Sequence, residues 1–86
     1  MSPPTFPELQ SLLLSHLDHT GCDLSDLTHG ALFTDLGADP TDILDIALDL
    51  ESSFQLEFGI PEDVIETFTT PGAIFRWLED TLDPQP

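Results

Sequence analysis

The chain is almost without basic residues. Arg76 is the only Lys or Arg among 86 residues, against 17 Asp and Glu, for a formal net charge of −16 at pH 7. Nothing in it can neutralise a run of phosphates, so no nucleic-acid partner is expected. An anionic membrane surface repels it for the same reason. Cysteine is just as scarce: Cys22 stands alone, which leaves no internal disulfide framework and suits a reducing compartment. No apolar run approaches the roughly 20 residues of a membrane-spanning helix. Met1-Ser2-Pro3-Pro4 lacks the basic start of a signal peptide. There is no internal repeat and no low-complexity tract. A cytoplasmic location is the expectation.

Apolar residues are not lacking. Phe, Ile, Leu and Val make up 27 of the 86 residues. Disorder requires a poor apolar content as well as a high charge, so a folded domain is expected. The length allows one small core and no second one. Residues 5–83 are assigned to this domain, and the Pro-rich ends, 1–4 and 84–86, to flexible tails. The surface is one negative field that repels copies of itself and is steered towards basic patches on other proteins. A monomer is therefore expected when the protein is free, with some stability lost to self-repulsion at low salt.

The apolar spacing is helical throughout. Thr5-Phe6-Pro7-Glu8 carries the residues of a capping box. Leu9, Leu13 and Leu17 follow at intervals of four, predicting an amphipathic helix to about residue 19, which Gly21 then stops. A long connection follows, residues 21–38, pinned by Leu24, Leu27, Leu32, Phe33 and Leu36 or functional in itself. Asp39-Pro40-Thr41-Asp42 is the sharpest helix start in the chain. Asp39 suits the N-cap, Pro40 the first turn, where no N–H is needed, and Asp42 the positive end of the helix dipole. That helix is expected to reach Phe54. Ile60-Pro61-Glu62-Asp63 opens a short helix with Val64, Ile65 and Phe68 as apolar contacts. Thr70-Pro71 opens the last, with Ile74, Trp77, Leu78 and Leu82 on one side. No segment alternates with period two, so the fold class is all-α, a small bundle of three longer helices and one short one.

On the helix that starts at Pro40, Ile43, Ile46, Ala47, Leu50 and Phe54 share an arc about 100° wide, which is the core face. Asp42, Asp45 and Asp49 form an acidic ridge. Leu44 and Leu48 lie outside the core arc, near Thr41 and Glu51. Two leucines beside an acidic ridge either touch the neighbouring loop and short helix or make a docking surface, in which charge steers and apolar area holds.

These segments resemble the acyl carrier proteins of fatty-acid and polyketide synthesis. Asp35-Leu36-Gly37-Ala38-Asp39 is similar to that family's segment before its second helix. Asp42-Ile43-Leu44-Asp45-Ile46 and Leu50-Glu51 are similar to the acidic second helix itself. Ile60-Pro61-Glu62-Asp63 and Phe68-Thr69-Thr70-Pro71 match in order, with a slightly longer spacing after Phe54. The resemblance runs from Glu8 to Leu82 and implies a bundle of three long helices and one short. It also implies an attachment serine directly after Asp39, whose hydroxyl takes the phosphopantetheine arm; this chain has Pro40 there. No phosphopantetheine is expected, and Thr41 is the nearest alternative acceptor. By the same resemblance Asp39, Asp42, Asp45 and Glu51 are partner-binding, facing Lys and Arg on enzymes such as a ketosynthase, an acyltransferase or the phosphopantetheinyl transferase. Thr41, Leu44, Leu48 and Asp49 join that surface. The expected function is a non-catalytic pseudo-carrier. The alternatives are a genuine carrier modified at Thr41 and an acidic decoy for an unrelated basic protein.

Other chemistry finds little support. Cys22, His16, His19 and His29 match no metal or nucleophile template, although His16 and His19 lie on one side of the first helix. Ser25, Ser52 and Ser53 have no paired base, and no glycine loop is built for phosphate. Neither a catalytic residue nor a metal ligand is assigned, and no independent enzyme is expected.

Overall fold

A computed structural model describes residues 4–56 and 59–82. The tails expected at 1–4 and 84–86 lie outside the described residues, apart from Pro4, which is buried. Four helices follow one another: α1 (Phe6–Leu17), α2 (Pro40–Ser53), α3 (Glu62–Ile65) and α4 (Pro71–Leu82). Among the described residues there is no strand. None of these helices is long and apolar enough to cross a membrane.

Each long helix begins where its cap residues stand. The Glu8 N–H donates to Thr5 Oγ1 at 3.3 Å, and the Thr5 N–H donates back to the Glu8 carboxylate at 3.4 Å. Pro40 opens α2 behind an extended Asp39. The Ala73 N–H donates to Thr70 Oγ1 at 3.1 Å at the start of α4. The first helix departs from the expectation near its end: α geometry stops at Leu17, and the chain tightens into a 3₁₀ turn, Asp18–Thr20, before Gly21 turns it at φ +80°.

α1 packs against both α2 and α4, and α2 against α3. Leu9, Leu13 and Leu17 of α1 meet Ile46, Ala47 and Leu50 of α2 and Ile74 and Leu78 of α4 in one core. Each leucine so buried contributes about 1.5–3 kcal/mol, so the interval of four in α1 is a large part of why the bundle closes.

The long connection is pinned rather than free. It holds a second 3₁₀ turn, Leu24–Asp26, and it buries Leu27 and Phe33 while Leu24 and Leu32 stay exposed. Gln10 of α1 donates to the Leu27 carbonyl at 2.7 Å. At its middle the connection lies against the start of α4, where the Gly72 N–H donates to the His29 carbonyl at 2.9 Å. A Cβ on Gly72 would sit 2.6 Å from that oxygen, so only glycine allows the approach.

Candidate partner-docking site

The segment leading into α2 is folded back on itself. The Ala38 N–H donates to the Phe33 carbonyl at 3.0 Å, and Gly37, at φ +87°, supplies a left-handed turn that a side chain would strain. Phe33 is buried, and its N–H donates to the Thr69 carbonyl at 3.0 Å, which ties this segment to the chain after α3. Asp39 is thereby set at the start of α2, where its N–H donates to the Asp42 carboxylate at 2.9 Å. Pro40 is the first residue of the helix, with its ring exposed. Thr41 follows it, also exposed.

Between this segment, the first turns of α2 and α3 runs an apolar groove of about 390 Å³. Phe33, Ile43, Leu44, Ile65 and Phe68 line it together with Pro40. Its lining also includes Asp39, Glu62 and Glu66, all exposed, and no basic residue among the described residues. The groove follows from the fold-back of the connection, which brings Leu32 and Phe33 beside the start of α2 and, farther along the chain, α3.

Leu44 and Leu48 are exposed, at 49% and 62%, but only Leu44 belongs to the groove. Asp45 is exposed on the same helix. The other members of the acidic ridge are engaged within the protein. His16 Nε2 donates to Asp49 at 2.7 Å from α1, and His19 Nε2 donates to Asp42 at 3.2 Å from the 3₁₀ turn after it, both onto α2. The hydrogen bond from His16 is the main reason the Asp49 carboxyl lies below its ordinary range; partial burial opposes this, while a hydrogen bond from Ser53 and the charge on His16 add to it. Glu51 accepts the Ile60 N–H at 3.1 Å and so holds the approach to α3.

His16, on α1, and His19, in the 3₁₀ turn that continues it, join this surface without having been expected there. Their three-residue spacing is the available signal, since it puts both on one side of a helical segment. His29 is elsewhere, stacked on Phe6 with ring centroids 3.7 Å apart and Phe75 against the pair. Cys22 is half-buried. Among the described residues, no three His, Cys, Asp or Glu side chains are grouped to hold a metal ion.

No protein-family model matches the chain. It is 34% identical over 64 residues to the Acyl carrier protein of Sinorhizobium fredii (strain NBRC 101917 / NGR234), across 73% of this chain and 80% of that one. The same identity and coverage hold for the Acyl carrier protein AcpP of Rhizobium meliloti (strain 1021).

Proposed function

The chain belongs to the acyl carrier protein family, and from that premise we propose that it has given up the attachment chemistry and kept the protein-binding role. One observation carries this reading: the residue at the first position of α2, directly after Asp39 and at the edge of the groove, is a proline. A phosphopantetheine arm needs an oxygen to bond its phosphate, and the Pro40 ring has none. The residues present do not fit the group at that position. Proline is also well suited to the first turn of a helix, where no N–H is required. The helix start thus survives the loss of the hydroxyl.

On this reading the protein is a pseudo-carrier. It binds the basic carrier-recognition surface of a biosynthetic enzyme, a ketosynthase or acyltransferase being the expected kind, and acts there as a subunit, regulator or placeholder. Asp39, Asp45, Leu44 and Leu48 are its exposed contacts. Asp42, Asp49 and Glu51 shape that face through their internal partners.

Thr41 supports a second reading, because its exposed hydroxyl stands one residue from the family position. Intact mass separates the two. The wild-type chain and its Pro40→Ser variant are each incubated with coenzyme A and a promiscuous phosphopantetheinyl transferase. The expected result is an unchanged mass for the wild type and one added arm on Pro40→Ser. An arm on the wild type, mapped to Thr41 or another hydroxyl, overturns the pseudo-carrier reading.

A further inference from the structure

We infer that the groove beside Pro40 receives an apolar side chain of a partner protein, carried on a segment with basic residues to either side. This occupant rests on the pseudo-carrier reading, since it takes the space that a tethered chain would otherwise reach.

Three observations point to it. The groove is apolar within, and two of its leucines, Leu32 and Leu44, remain close to half exposed. At about 390 Å³ it is at the small end of the range for ligand-binding clefts, with room for a large side chain and part of the segment that carries it. Its carboxylates, Asp39, Glu62 and Glu66, are exposed, and no histidine or arginine lines it among the described residues.

Internal pairing strengthens this placement. Asp42 and Asp49 meet His19 and His16, and Glu51 holds a backbone N–H. Glu62 and Glu66 at the groove, with Asp45 beside it, are by contrast exposed and have no such internal side-chain partner among the described residues. An anionic amphiphile would bring its head among these carboxylates on a chain of net charge −16, and is disfavoured. A basic-flanked apolar side chain satisfies both the walls and the rim.

The test uses the full chain, labelled with 15N, and two capped peptides, Arg-Lys-Phe-Lys-Arg and Arg-Lys-Gly-Lys-Arg. The phenylalanine peptide is expected to shift the amides of Leu32, Ala38, Ile43, Leu44 and Ile65. It is also expected to bind about tenfold more tightly than the glycine peptide at physiological salt. The double variant Glu62→Gln, Glu66→Gln is expected to weaken it about fivefold at low salt. Leu44→Gln, at an exposed position where folding is undisturbed, is expected to remove the preference for phenylalanine. Equal binding of the two peptides overturns the inference, as do shifts confined to other faces. So does a stronger groove response to octanoate than to the phenylalanine peptide. The same sample is weighed after coenzyme A treatment. An unmodified chain whose groove ignores the peptide overturns this inference alone, whereas a chain that takes up the arm overturns it together with the pseudo-carrier reading.

Discussion

Across the contact between α1 and α2, Asp42 and Asp49 meet histidines, whereas around the groove between α2 and α3 Asp39, Glu62 and Glu66 meet no basic side chain among the lining residues. Both regions draw on the same acidic helix. What differs is the facing element: α1 contributes His16 and the 3₁₀ turn that follows it contributes His19, whereas α3 contributes further carboxylates. A formal charge of −16 is thus not spread evenly in its consequences. On one side it is partly absorbed in holding two helices together, and on the other it is left for a partner. The position of a carboxylate on α2 decides less about its role than the residue that stands opposite.

The largest expected effect comes from removing a wall of the groove. Phe33 is buried, and its backbone ties the connection to Thr69. Phe33→Ala leaves a cavity and is expected to cost about 3–5 kcal/mol, a large share of the stability of a domain this small. Phe33→Leu is the milder companion that keeps the protein folded. Denaturant unfolding of the two should give a graded loss. A loss below about 1 kcal/mol for alanine would mean that the connection is not held by its aromatic anchor.

The histidine side responds to acid instead. The folded protein holds the Asp49 carboxyl below its ordinary range, so the ionised form is favoured by folding. Its contribution is fully present above the unfolded carboxylate value of about 3.9 and is lost as pH falls through the lower folded value. Asp49 is partly exposed, and pairs of this kind contribute only about 0.2–1 kcal/mol at neutral pH. Asp49→Asn should lower stability by this amount at pH 7, and the gap to the wild type should close on strong acidification. Thermal melts across that range check the sign. A gap that stays constant, or widens with acid, would remove Asp49 from the list of groups that hold α1 to α2.

The helices were legible because their ends are written in short-range chemistry. Thr5 with Glu8, Asp39 with Pro40, and Thr70 with Pro71 each mark a start within four residues, and the spacing of Leu9, Leu13 and Leu17 gives the core face. The resemblance around Asp35–Asp39 likewise led to the right family. The His–Asp pairs were not legible, since they depend on the rotation of α1 relative to α2, which local spacing leaves open. Nor was the split between Leu44 and Leu48, one helical turn apart, because only the fold-back of residues 32–38 decides which of them borders a groove. The first 3₁₀ turn escaped for a related reason: it is closed by a backbone bond from Gly21 to Asp18, which side-chain patterns do not announce. The second does carry a local signal, the Asp23 N–H donating to the Asp26 carboxylate at 2.9 Å, a spacing-of-three cap that was not read from the sequence.

The smallest expected effect lies where α2 gives way to the approach to α3. Gln55 adopts φ +53° in the left-handed region, immediately after Phe54 closes the helix. The Leu56 N–H then returns to the Glu51 carbonyl at 3.0 Å, a helix ending in which glycine is the usual residue. Gln55→Gly relieves a steric cost of about 1–2 kcal/mol but loosens the unfolded chain, which takes back about 0.5–1 kcal/mol. The net gain should be a few tenths of a kcal/mol to about 1 kcal/mol, seen as a small rise in melting temperature. Because this ending sets the approach to α3 and not the contact with α1, the acid response attributed to Asp49 should be unchanged. A fall in melting temperature would show that the Gln55 side chain contributes more than its backbone conformation costs. An altered acid response would show that the two sides of α2 are coupled through its last turn.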